Sequence, residues 1–184
     1  MRYFIDTEFI ENRGSIDLVS IAVVGEDGRE LYCEVDGVDW SRASTWVLEN
    51  VKPHLWAQSR DKTAHNAWVR DGGVGGLLPI PQIASHVREF CDPTVHGEPE
   101  FWGYYADYDW VVTCWMFGSM MDLPKGWPMY CNDIKQECDR LGNPALPAQT
   151  AFEHHALADA RWNAQAWRFL QALSRNDAQG PAEG

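Results

Sequence analysis

Asp6 and Glu8 stand two apart within RYFIDTEFI. On a strand, residues two apart point to the same face. Two carboxylates placed this way repel each other unless a cation lies between them. A hard divalent ion such as Mg²⁺, which prefers carboxylate oxygens, fits such a pair. On its own, D-x-E describes a solvated strand end equally well. His154 and Asp159 lie far along the chain in HHALADARWNAQAWRFL. There Leu157, Ala160, Ala164 and Trp167 recur with helical spacing, so a helix is expected over Asp159. On an ideal helix the residue four before Asp159 shares its face and the residue five before does not. That geometry favours His155, unless the helix starts near residue 155 and His154 sits on the loop before it. A histidine that is neutral at about pH 7 suits the removal of a proton from water. A surface histidine pair at a helix start is the plain alternative. A third acid is on offer in FWGYYADYDWVVTCW, where Asp107 and Asp109 both follow an expected strand and open an expected helix. Residue type alone does not choose between them.

The elements that must position these groups are partly legible. Strands are expected at residues 2–8, 17–24, 29–35, 100–105 and 128–132. The second and third are joined through Gly25-Glu26-Asp27-Gly28, whose Asp-Gly pair marks a hairpin. Helices are expected at 41–52, with Ser41 as a candidate N-cap, and at 81–91, 108–120, 133–141 and 155–174. Residues 53–80 read as irregular, and GGVGG at 72–76 within them, lacking the strand-then-helix setting of a nucleotide loop, reads as a mobile connection. A Pro-containing loop covers 142–151. Hairpin strands followed by alternating helices and strands predict an α/β domain with a mixed five-stranded sheet flanked by helices. One domain is expected over 1–174, with a flexible tail at 175–184.

The bulk properties narrow the function classes. A chain of 184 residues with 45% apolar content suits a single core. Its net charge of −12 disfavours the wrapping of long nucleic acid, which needs a basic footprint, but permits a site that works through bound cations. Five cysteines (Cys33, Cys91, Cys114, Cys131 and Cys138) without CxxC spacing argue against a disulfide framework or a structural zinc site, and read as buried thiols. Most of the ten tryptophans are expected in packing, with a few free to stack on bases. The opening MRYFIDTEFI carries charges inside its apolar stretch and does not read as a signal peptide, so a cytoplasmic protein is expected.

Taken in order, DTEF, YADYD and HHALAD resemble the DEDDh 3′→5′ exonuclease superfamily over nearly the whole chain, most nearly its small bacterial exoribonucleases of the RNase AS type. The family pattern is D-x-E at the end of the first strand, a second motif like H-N-A-x-F-D, and H-x4-D at the last helix. Asp6 and Glu8 match the first motif. Ala106, Tyr108 and Asp109 match the second, with Asp107 on its variable position and Tyr105 where many relatives have Asn. His154 and Asp159 match the third, with His155 on a variable position. His65-Asn66-Ala67 also begins like the second motif, but Arg70 stands where the acid is required, so it reads as a loop.

The resemblance implies a ribonuclease H-like fold and two Mg²⁺ ions, with Mn²⁺ able to stand in. Asp6, Glu8, Asp109 and Asp159 would be the ligands, Asp6 bridging, and His154 the general base. Single-stranded RNA, with adenylate-rich RNA as a candidate, would be cut from its 3′ end to nucleoside 5′-monophosphates. Thr7, Glu8, Phe9, Tyr105, Ala106, Tyr108 and His154 would lie against the terminal nucleotide, and relatives are often homodimers. Single-stranded DNA, very short oligonucleotides and a non-catalytic nucleic-acid-binding module are the competing readings.

Overall fold

In the computed structural model, residues 1–149 and 153–179 are described, with side chains up to residue 175. The chain runs β1 (Arg2–Asn12), β2 (Ser15–Gly25), β3 (Glu30–Val35), α1 (Thr45–Asn50), α2 (Thr63–Arg70), β4 (Val74–Leu78), α3 (Ile80–Phe90), α4 (Pro93–His96), β5 (Glu100–Gly103), α5 (Asp107–Met116), β6 (Asn132–Asp133), α6 (Ile134–Arg140) and α7 (Ala156–Gln179).

The strands form one mixed sheet in the order β4-β3-β2-β1-β5-β6. The β1–β2 and β2–β3 pairs are antiparallel, whereas β1–β5, β5–β6 and β3–β4 are parallel. β1 and β2 are the two central strands, and Val19 to Val24 of β2 are all buried. Such an unbroken buried run needs both sheet faces covered. On one face, Tyr3, Ile5, Ile21 and Val23 meet Ile83 and Val87 of α3 and Trp110 of α5. On the other, Phe4, Ala22 and Val24 meet Ala156, Leu157, Ala160 and Ala164 of α7. Each fully buried large apolar side chain contributes roughly 1.5–3 kcal/mol. The small alanines let the long helix lie close to the sheet.

Six strands replace the expected five, and the arrangement remains compatible with a ribonuclease H-like sheet. The extra strand, β4, falls in the segment read as irregular and overlaps the GGVGG read as a mobile connection. Gly75 and Gly76 pair with Tyr32 and Cys33. A Cβ on Gly75, whose φ is +135°, would collide with the Tyr32 carbonyl. Glycine is therefore what admits this strand to the edge of β3. The same segment holds α2, so His65 is helical rather than in a loop and packs against Trp56 and Trp68.

The helix expected at 41–52 is shorter. Asp39 caps a single 3₁₀ turn at Trp40–Arg42, and Ser44 rather than Ser41 caps α1, accepting from Val47 N at 3.2 Å. The last strand is only Asn132–Asp133, where 128–132 was expected, and α5 ends at Met116 rather than 120. α7 continues to Gln179, past the expected end at 174. Of the expected 142–151 loop and C-terminal tail, residues 150–151 and 180–184 lie outside the described residues. Among the described residues, no helix is long and apolar enough to cross a membrane.

Candidate active site

β1 alternates cleanly as far as Glu8, where a bulge shifts the register before Phe9. Asp6 and Glu8 thus follow Phe4 on the face covered by α7, and Thr7 points to the other. α7 brings up Asp159 in its first turn. Carboxylate oxygens of Asp6, Glu8 and Asp159 all lie within 4.8 Å of one another. The helix is held there by Asn163, one turn further on and 1% exposed, whose Nδ2 donates to Ile5 O at 2.8 Å. Gln149 donates its side-chain amide to Asp159 Oδ1.

Asp109 arrives from the opposite face of the sheet, in the first turn of α5. It is buried, and its Oδ1 accepts from Thr7 N at 2.8 Å and from Thr7 Oγ1 at 2.5 Å. Asp107, two residues earlier, is exposed to solvent. The start of α5 is set by Asp133, which caps α6 through Gln136 N at 2.9 Å and accepts from Ala106 N at 2.8 Å.

Burial and mutual repulsion disfavour ionisation of all these acids together. Burial, then Asp109, Asp159 and Glu8, hold the Asp6 carboxyl well above its usual range. Burial, then Asp159 and Asp109, push Glu8 from 4.5 to about 8. Burial raises Asp109 to about 6 against the opposing pull of the Thr7 hydrogen bonds. Burial also raises Asp159, while the Gln149 amide and His154 oppose it. Among the described residues none of the four forms an ion pair with lysine or arginine. Such a set, with oxygen-only donors and no protein cation, fits a hard divalent ion.

The two histidines part company at the start of α7. The helix begins at Ala156, and the His155 carbonyl accepts from Ala158 N and Asp159 N at 2.8 and 3.1 Å. His154 precedes it with φ +66° and lines the same cleft as the acids, its ring 4.8 Å from that of Trp46. His155 turns the other way. It is 6% exposed, stacked on Tyr32 at 4.7 Å and packed on Trp56, and burial pushes its imidazole down from 6.5 to about 4.

The cleft has a volume of ≈ 670 Å³ and contains Asp6, Thr7, Glu8, Phe9, Asp109, His154 and Asp159 in its lining. Three residues expected against substrate lie outside that lining. Tyr105 is 63% exposed, Ala106 is buried with its N–H on Asp133, and Tyr108 is half-exposed and lies edge-on to Phe9, ring to ring at 5.9 Å. Trp46, Tyr104, Gln149, Trp162 and Asn163, which the sequence reading missed, do line it. Trp162 and Asn163 follow Asp159 by three and four residues, so helical periodicity carried a signal for both. Trp46, Tyr104 and Gln149 come from separate elements and carried none. A second depression of ≈ 590 Å³ lies beyond the tip of the β2–β3 hairpin, where Arg161 and Trp68 both bind Glu30; it holds none of these acids.

Residues 1–171 match the domain family described as 3′-5′ exoribonuclease Rv2179c-like. Two curated relatives from Mycobacterium tuberculosis, 3′-5′ exoribonuclease Rv2179c of strain H37Rv and 3′-5′ exoribonuclease MT2234.1 of strain CDC 1551, are each 35% identical over 178 residues, covering 97% of this chain and 96% of theirs. With the family's domain matched over residues 1–171 and 35% identity across nearly the full length of both chains, the chain belongs to the Rv2179c-like 3′-5′ exoribonuclease family.

Proposed function

We propose that the protein is a divalent-metal-dependent DEDDh-type exoribonuclease that removes nucleoside 5′-monophosphates from the 3′ end of single-stranded RNA. The observation that carries this reading is the convergence of Asp6, Glu8 and Asp159 within 4.8 Å, with no lysine or arginine paired to them among the described residues. Asp109 and His154 in the same cleft complete the set. Two Mg²⁺ ions held by the four acids would supply Lewis acidity to the attacking water and the departing 3′ oxygen.

The chain's own groups do the rest. His154 takes the proton of the attacking water on a ring nitrogen, and Trp46 beside it limits where the imidazole can swing. Phe9, Trp46, Tyr104 and Trp162 offer aromatic faces and edges to unstacked bases, which suits a single strand better than a duplex. The net charge of −12 supports a short engaged segment, because no long basic track is needed to hold one or two nucleotides.

Degradation of 5′-labelled single-stranded RNA, single-stranded DNA and a dinucleotide, with and without Mg²⁺, tests the reading. Wild type is expected to shorten RNA stepwise only with metal. Asp109→Asn and His154→Ala are expected to fail, and Asp107→Asn and His155→Ala to retain the metal-dependent pattern. Metal-independent cleavage, or an active Asp109→Asn, would overturn the proposal. Faster cleavage of DNA or of the dinucleotide would reassign the substrate.

A further inference from the structure

We infer that Thr7 is a positioning residue, not a substrate contact: its hydroxyl and backbone N–H together fix the Asp109 carboxylate so that one chosen oxygen serves the cation site. The inference rests on the reading of Asp109 as a metal ligand.

Thr7 lies between the two acids of β1, and strand alternation turns it away from them. It is only 5% exposed, which leaves little of it for RNA to touch. Both of its donors go to a single atom, Asp109 Oδ1, at 2.8 Å from the amide and 2.5 Å from the hydroxyl. A carboxylate oxygen has two lone pairs in its plane, so Oδ1 is filled and Oδ2 is the oxygen left for an ion. Rotation of the carboxylate about its own axis would break both bonds.

Asp109 needs such a tether more than its partners do. Asp6 and Glu8 are fixed by the strand they stand on, and Asp159 by a helix that Asn163 ties to Ile5. Asp109 reaches β1 from the far face of the sheet, 102 residues along the chain from Thr7. The amide bond would survive any substitution that preserves the strand. The hydroxyl bond belongs to this side chain, and removing such a bond behind a ligand typically weakens metal affinity or activity by about 10–100-fold.

The test compares Thr7→Val, of the same shape without the donor, with Thr7→Ser, which keeps it. Mg²⁺ affinity is measured by calorimetry on the protein alone, and kcat and KM on 5′-labelled RNA across a Mg²⁺ series. Thr7→Val is expected to weaken Mg²⁺ binding by about tenfold or more and to lower kcat, with KM for RNA within about twofold of wild type. Thr7→Ser should restore both. Thr7→Ala removes the same hydroxyl with less bulk and carries the comparison if valine distorts the strand.

Wild-type Mg²⁺ affinity in Thr7→Val and Thr7→Ala, alongside an Asp109→Asn that has lost it, would overturn the inference and leave the proposed function standing. A raised KM with unchanged metal affinity would return Thr7 to substrate contact. An Asp109→Asn that still binds metal and cuts RNA would remove the reading beneath both.

Discussion

Glu8 and Glu34 sit in one row of the sheet, Glu8 opposite Ser20 and Ser20 opposite Glu34, about 10 Å apart at ordinary strand spacing. Their surroundings are opposite. Glu34 is buried and accepts from Tyr32 OH at 2.7 Å, Trp56 N at 2.5 Å and Ala57 N at 2.8 Å. Tyr32 and Trp56 also pack on His155, so this end of the row is an aromatic box with its acid satisfied. Glu8 instead faces Asp6 and Asp159, and its lone pairs have other acids for neighbours. A structural carboxylate is answered by donors within the fold. In the cleft, Thr7 and Gln149 each answer only one oxygen of Asp109 and Asp159, and among the described residues Asp6 and Glu8 have no lysine, arginine or amide donor, which leaves oxygens open to a cation. The fold accepts the repulsion there as local destabilisation, as sites built for ligands commonly do.

The largest break between the two regions is expected in activity. If Asp6 is a metal ligand, as proposed, Asp6→Asn should lower RNA cleavage by about a thousandfold or more, because such a loss removes several kcal/mol of charge stabilisation. The same substitution should raise the melting temperature of the metal-free protein. Glu34→Gln should do the reverse in sign, costing about 1–3 kcal/mol of stability by setting an amide N–H against a backbone donor, with cleavage at permissive temperature retained.

The adjacent histidines give the next contrast. His154→Ala is expected to lower kcat by about 10²–10⁴-fold with little change in melting temperature. His155→Ala should leave kcat near wild type and lower stability by about 2–4 kcal/mol, because it empties a packed position against Tyr32 and Trp56. Steady-state kinetics and denaturant melts on the two variants separate the roles. An inactive, fully stable His155→Ala with an active His154→Ala would exchange them.

The last contrast is in pH dependence, where the two regions run in opposite directions. Glu8 is raised from 4.5 to about 8, so the folded metal-free protein holds a proton that the unfolded chain has lost. That contribution is full below about 4.5 and fades as pH rises through about 8. His155 is lowered from 6.5 to about 4, so its contribution is present above 6.5 and fades as pH falls through about 4. Metal-free melting curves should therefore decline on both sides. Glu8→Gln should flatten the alkaline limb and His155→Phe the acid limb, and saturating Mg²⁺ should reproduce the first effect by binding the folded state. An alkaline limb indifferent to both Glu8→Gln and Mg²⁺ would place the cost of that limb outside the acid cluster.

How much of this was legible in the sequence depended on how local each signal was. Asp6 and Glu8 follow from strand alternation, and the hairpin from Asp27-Gly28, because each is fixed within a few residues. The start of α7 after His154 was legible as a condition, since helical geometry made His154 a usable neighbour of Asp159 only if the helix began later. β4 was not legible. Val74-Gly75-Gly76-Leu77-Leu78 has no alternation and is a strand because β3 presents a parallel edge, which the chain can approach opposite Tyr32 only with glycine at position 75. The second glutamate of the row was equally hidden, because the donors to Glu34 come from a turn some 22 residues away.

The sequence by itself carried the candidate groups: acids at 6 and 8, a choice between 107 and 109, a histidine pair before Asp159, and a negative net charge that permits a site working through bound cations. Those facts are carried by residue identity and short-range geometry. Only the tertiary structure decided which members meet. It buried Asp109 and left Asp107 in solvent, turned His154 to the cleft and His155 to the aromatic box, and spent the Thr7 hydroxyl on Asp109. These choices depend on how α5 and α7 dock on opposite faces of one strand, and docking is set by contacts more than a hundred residues apart in the chain.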